Sequence, residues 1–74
     1  MFVRLTDGTI LRMDDVTYIC HVCVYGKHTI QFRRSDDFCI IEEEYVSKER
    51  SQVVLSAIWK ALKNGEKFYE MPRE

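Results

Sequence analysis

Hydrophobic and polar residues alternate along most of the first 43 residues, which is the period of a half-buried β-strand. The longest alternating run extends from Val16 to Val24 and places its even-numbered, mostly apolar residues on one face. Shorter apolar runs lie near residues 2–5, 9–13, 28–34 and 38–41. We therefore predict about five strands, with the even-numbered residues of the longest run facing the core.

Glycine-containing turns predict how these strands pair. Asp7-Gly8 is typical of a type I′ turn, which would set Leu5 opposite Ile10. A three-residue loop at residues 25–27 would set Val22 opposite Ile30, and a one-residue slip would break that apolar match. A similar loop at residues 35–37 would bring two further apolar residues together, Phe32 and Ile40.

An amphipathic helix follows from about residue 47 to residue 64. Ser47 is a favourable N-cap, and Glu49 places a negative charge in the first turn, where it suits the helix dipole. Asn64-Gly65 ends the pattern. The apolar stripe of the helix consists of Val54, Leu55, Ile58, Ala61 and Leu62.

These elements predict an α+β fold, an antiparallel β-meander of about five strands (about 2–43) packed on one C-terminal α-helix. The 74 residues suit a single domain, 1–74, in which part of the tail 65–74 folds back onto the body. No apolar run approaches the roughly 18 residues that a membrane-spanning helix needs. The N-terminus also lacks the pattern of a signal peptide, so we expect a cytoplasmic protein without a membrane partner.

Three cysteines and two histidines are the candidate ligands for a metal or redox site. Cys20 and Cys23 lie at an odd spacing in the longest strand and therefore point to opposite faces. Zinc needs four converging ligands, so a site at Cys20, Cys23, His28 and Cys39 is a weaker alternative. His21 and His28 lack a recognisable nucleophile and orienting acid. We expect no metal, no cofactor and no enzymatic activity.

The charged residues are nearly balanced, with 11 basic and 12 acidic side chains and a net charge of −1. That balance disfavours a general polyanion binder. A local basic sheet face at Lys27, Arg33 and Arg34, with aromatic neighbours, would suit single-stranded nucleic acid. Nucleic-acid binding is therefore the alternative function.

Candidate residues for binding a protein partner lie in the second half of the chain. The acidic run of Glu42, Glu43 and Glu44 is either a polar connection before the helix or an edge that docks a basic surface. Trp59 borders the helix stripe, so it belongs either to the core or to an interface. Tyr69 in the tail is a second aromatic candidate, since such residues often dominate interfaces.

The order of motifs between residues 3 and 62 resembles that of small FlbD-type flagellar regulatory proteins. The resemblance rests on Leu5-Thr6-Asp7-Gly8-Thr9, Val16 to Ile19, Thr29-Ile30-Gln31-Phe32 and Ile40-Ile41-Glu42-Glu43. It implies a short β-meander followed by a helix, in a small bacterial or phage accessory protein without an active site. We therefore expect a protein-interaction module that regulates or inhibits a partner protein, one version being a phage-encoded inhibitor. A homodimer is compatible with this role.

Overall fold

The computed structural model describes residues 1–36 and 38–73. Within these residues, six strands form two three-stranded sheets, and one α-helix precedes the last strand. A short 3-10 helix at Met13–Asp15 separates the second and third strands. The elements are β1 (Phe2–Arg4), β2 (Ile10–Arg12), β3 (Tyr18–Val24), β4 (Lys27–Arg33), β5 (Cys39–Tyr45), α1 (Lys48–Lys63) and β6 (Phe68–Glu70).

The two sheets have different connectivity. Sheet 1 has the strand order β2-β1-β6, and sheet 2 has the order β3-β4-β5. The tail supplies β6, which pairs parallel with β1. The α+β class and a helix C-terminal to most strands are thus confirmed. A single five-stranded meander is wrong, because the tail completes a separate sheet around β1.

The first hairpin differs from the predicted type I′ turn. Gly8 has a φ of +92°, but Asp7 is not among the residues with positive φ. The Leu5 N–H donates to the Thr9 carbonyl, so three residues form the loop. Ile10 therefore pairs with Arg4 instead of Leu5, which turns Ile10 outward and leaves Leu11 in the core.

The second hairpin has a two-residue turn instead of the predicted three-residue loop. Tyr25 and Gly26 have φ values of +52° and +75°, and a type I′ turn requires positive φ at both positions. Val22 consequently pairs with Thr29, and the predicted pairing with Ile30 is wrong. The one-residue shift turns the odd-numbered residues of β3 towards the core, as in the pairing of His21 with Ile30.

The predicted pairing of β4 with β5 is wrong by one residue, whereas the predicted start of the helix is confirmed. Phe32 pairs with Ile41 and not with Ile40, since a register shift occurs between Phe32 and Arg33. The Arg50 N–H donates to Ser47 Oγ at 3.1 Å, which confirms Ser47 as the N-cap.

One core lies between both sheets and the helix, and the tail closes it. The Met71 N–H donates to the Arg4 carbonyl, and the Tyr45 hydroxyl donates to the Pro72 carbonyl at 3.1 Å. The tail therefore folds back onto the body, as predicted. The buried cluster consists of Val3, Leu5, Leu11, Ile30, Phe32, Tyr45, Val54, Ile58 and Met71.

Candidate interaction surface

The outer face of sheet 1 carries three large exposed hydrophobic side chains, which we call the Phe2–Phe68 patch (Phe2, Ile10 and Phe68). Phe2 lies opposite Phe68 in the parallel pairing, and their rings stack with centroids 6.1 Å apart. The exposed fractions are 42% for Phe2, 67% for Ile10 and 71% for Phe68. Side chains alternate along a strand, so burial of their neighbours on the inner face turns these three residues outward.

Charged side chains border the patch. In the strand register Arg4 lies between Ile10 and Glu70, and Arg12 lies opposite Phe2. A groove of about 610 Å³ follows this face and is lined by Phe2, Arg4, Ile10, Phe68, Tyr69 and Glu70. An apolar centre with a charged border is the arrangement found in protein interfaces.

Sequence reasoning missed this patch because the residues of β1 are apolar on both faces. Val3 and Phe2 are adjacent, and alternation alone does not say which of them is buried. The partner ring, Phe68, comes from the opposite end of the chain. The signal that could have revealed the patch is the apolar segment around Phe68 in the tail, since such a segment can add a strand to an existing sheet.

The two aromatic residues proposed from the sequence occupy different environments. Trp59 is 64% exposed on α1 and so lies outside the core, whereas its role at an interface remains a prediction. Tyr69 pairs with Val3 on β1 and packs against the core. Burial raises the pKa of its phenol. Tyr69 lines the groove, whereas Trp59 is not among the described residues that do.

The acidic run lies within β5 and does not form one charged edge. Glu43 faces inward, where Oε1 accepts the Thr6 N–H at 2.8 Å and Oε2 accepts the Thr6 hydroxyl at 2.8 Å. Glu42 faces outward and accepts from Gln31 Nε2 at 2.9 Å. Glu44 lies opposite Thr29, and both Glu42 and Glu44 are exposed. The Glu43 carboxylate thus joins sheet 2 to the first hairpin.

Of the two aromatic neighbours predicted for the basic face, Phe32 is fully buried, whereas Tyr25 is exposed in the turn before Lys27. Arg34 Nη2 donates a hydrogen bond to Asp36 Oδ2 at 3.0 Å, and Arg34 Cζ lies over the Phe38 ring, 4.7 Å from its centroid. Arg33 donates to Gln31 Oε1 at 2.8 Å. Both arginines are thus hydrogen-bonded to neighbouring side chains.

Lys27 and Arg33 share the outer face of sheet 2 with two carboxylates. Antiparallel partners point to the same face, so Lys27, Arg33, Glu42 and Glu44 lie together there. This mixture of charges is unlike the positively charged groove that binds single-stranded nucleic acid.

The cysteines lie on both faces of sheet 2, and the three thiols are free. Cys20 pairs with Gln31 and Cys23 pairs with His28, which confirms their predicted opposite orientation. Burial is the main factor that raises the pKa of the Cys39 thiol, so this side chain lacks the thiolate character of a reactive cysteine.

The two histidines contact each other on the inner face of sheet 2. His21 Nε2 lies 3.1 Å from His28 Nδ1, with the rings nearly parallel at 8°. Among residues 1–36 and 38–73, no group of three or more His, Cys, Asp or Glu side chains is arranged to hold a metal ion. The contact between the two rings joins β3 to β4.

Comparison of the chain with protein-family models, with curated proteins and with solved structures found no match. The resemblance to FlbD-type proteins accordingly stays a prediction. Within the described part of the chain, no helix is long and apolar enough to cross a membrane.

Proposed function

We propose that the protein is a non-enzymatic interaction module that regulates or inhibits a partner protein, and that the Phe2–Phe68 patch is its contact surface. The exposed Phe2–Phe68 stack, with Ile10 beside it, is the observation that supports this function most directly. Large contiguous apolar patches on a protein surface commonly mark interaction sites. Burying a fully exposed side chain of this size contributes about 1.5–3 kcal/mol, and the three patch residues would gain part of that each, in proportion to their exposed area.

The residues of the patch indicate what kind of partner surface would bind it. Two aromatic rings and an isoleucine fit an apolar pocket of a folded protein. Arg4 and Glu70 lie side by side at the border and Arg12 pairs with Asp14 at 3.6 Å, so we expect both acidic and basic residues around that pocket. Charge complementarity of this kind favours the correct orientation and a faster association.

Affinity capture with matched variants tests this function. Phe68→Asp places a charge in the patch, and Val53→Asp places the same charge at a 58% exposed position on the outer face of α1. We expect wild type and Val53→Asp to retain the same protein from a lysate, and Phe68→Asp to lose it. Circular dichroism verifies that both variants are folded. Retention of the same protein by all three would refute the assignment of the patch.

Oligonucleotide binding by the wild-type protein addresses the nucleic-acid alternative, which the sequence places at Lys27, Arg33 and Arg34. We expect no binding to single-stranded DNA or RNA oligonucleotides in fluorescence anisotropy at low salt. Binding that weakens steeply with salt, and that is lost in a variant with Lys27→Ala, Arg33→Ala and Arg34→Ala, would replace the protein-partner proposal by a nucleic-acid one.

A further inference from the structure

The outer edge of β3 carries backbone groups that have no strand partner among residues 1–36 and 38–73. β3 is an edge strand of sheet 2, and no described strand pairs with its other side. In a two-residue hairpin the residues that flank the turn, here Val24 and Lys27, exchange backbone hydrogen bonds. The pattern then alternates along the strand, so the N–H and C=O groups of Ile19, His21 and Cys23 point away from β4.

This edge lacks the features that normally prevent strand pairing. The seven residues Tyr18–Val24 include no proline and no Lys, Arg, Asp or Glu, and their ladder with β4 is regular. The opposite edge, β5, has three consecutive glutamates and a register shift against β4. Charged side chains and bulges protect edge strands from pairing with other chains. Sheet 2 is thus protected at one edge and open at the other.

We propose that β3 pairs in antiparallel fashion with β3 of a second copy of this chain, about a twofold axis through His21. His21 is the central residue of Tyr18–Val24, so this register overlaps all seven residues. It places Ile19 of one copy opposite Cys23 of the other, which matches the outward-pointing backbone groups. Three N–H groups from each strand give six intermolecular hydrogen bonds.

The side chains favour a second copy as the occupant. On the outer face of sheet 2, Tyr18 lies opposite Val24 of the second copy, and Cys20 lies opposite its Val22. Aromatic and β-branched pairs of this kind stabilise antiparallel strands, whereas like charges directly opposite destabilise them. Self-pairing of β5 would place glutamates of the two copies against each other. The assembly therefore closes as a dimer with a six-stranded sheet, whose two outermost strands are the β5 strands of the two copies.

The mass in solution is the first test. Light scattering coupled to size exclusion should give twice the chain mass of 8.8 kDa, about 17.6 kDa, with a shift towards the monomer on dilution. Phe68→Asp should leave this mass unchanged, since the Phe2–Phe68 patch is a separate surface. A wild-type chain that is monomeric at its highest soluble concentration would overturn the dimer while leaving the proposed function intact.

Two variants at the central residue test the role of the backbone. His21→Pro removes an N–H that points out of the sheet, whereas His21→Ala removes the imidazole and keeps that N–H. We expect His21→Pro to be monomeric with unchanged circular dichroism and His21→Ala to remain a dimer. A folded His21→Pro variant that still dimerises would overturn the pairing.

A disulfide cross-link tests the register of the β3–β3 pairing. It also tests the pairing itself if His21→Pro does not fold. Cys20 and residue 22 of the second copy form a non-hydrogen-bonded pair with Cα atoms about 4.5 Å apart, within the range of a disulfide. In a Cys23→Ser, Cys39→Ser background, Val22→Cys should give a covalent dimer linked between positions 20 and 22 under mild oxidation. Glu44→Cys in the same background is the control for the opposite edge. Absence of the 20–22 link, or equal cross-linking of the control, would overturn the proposal.

Discussion

The link between Glu43 and Thr6 gives the sharpest prediction about the fold, because one carboxylate connects β5 to the first hairpin. Replacing Glu43 by alanine removes the acceptor for the Thr6 N–H and for the Thr6 hydroxyl, each bonded at 2.8 Å. A hydrogen bond to a charged group contributes about 1.5–3 kcal/mol. Both residues are half-buried, so water replaces part of the lost bonding. We expect Glu43→Ala to lower the free energy of unfolding by about 2–3 kcal/mol.

This loss is large relative to the stability of a small domain. At roughly 0.05–0.15 kcal/mol per residue, a chain of 74 residues has about 4–11 kcal/mol in total. Each kcal/mol changes the Tm of a domain of this size by about 4–8 °C, so Glu43→Ala should lower Tm by about 8–24 °C. Urea unfolding followed by circular dichroism measures the free energy, and a thermal scan measures Tm.

Glu44→Ala is the matched control, since Glu44 is the next residue and lies exposed on the opposite face of β5. We expect its effect to stay within about 0.5 kcal/mol. Combining Glu43→Ala with Thr6→Ala should cost less than the sum of the single losses, because both remove the same contact. Equal losses for Glu43→Ala and Glu44→Ala would refute the assigned role of Glu43.

Three further predictions concern the turns and the helix terminus. Tyr25→Asn should stabilise the protein by about 0.5–1 kcal/mol in urea unfolding, because Tyr25 is fully exposed at a positive φ that asparagine tolerates better. Ser47→Ala should cost about 1 kcal/mol and speed amide exchange in the first turn of α1, since it removes the N-cap acceptor. NMR titration should place the pKa of Asp36 below its ordinary value of 3.8, chiefly because the Arg34 side chain hydrogen-bonds its carboxylate. The associated stabilisation is present above 3.8 and is lost as pH falls through the lowered pKa, and Arg34→Gln should move that pKa back upward.

The sequence predicted the helix well because its signals are local. Ser47, the apolar stripe around Val54 and Ile58, and the Asn64-Gly65 end lie within one segment and agree with each other. Strand register depends on turn conformation, which the sequence signals only weakly. Tyr25-Gly26 forms a two-residue turn although Tyr is not typical of the first position.

The prediction of which face of β3 is buried was wrong for a related reason. Its even-numbered residues are more uniformly apolar than its odd-numbered ones, yet the turn places His21 and Ile19 opposite the buried residues of β4. Parity did correctly separate Cys20 from Cys23, because that relation is independent of register. The Phe2–Phe68 patch was not predictable from local pattern, since it depends on a pairing between the two ends of the chain.

The affinity for the captured partner tests the proposed contact surface most directly. Isothermal titration calorimetry with wild type, Phe68→Ala and Trp59→Ala compares two aromatic residues of similar exposure, 71% and 64%. A hot-spot residue contributes about 2 kcal/mol or more, which corresponds to a Kd increase of about 30-fold. We predict that increase for Phe68→Ala and a change of less than about fivefold for Trp59→Ala, below about 1 kcal/mol. An increase for Trp59→Ala with no change for Phe68→Ala would contradict the account and place the interface on α1.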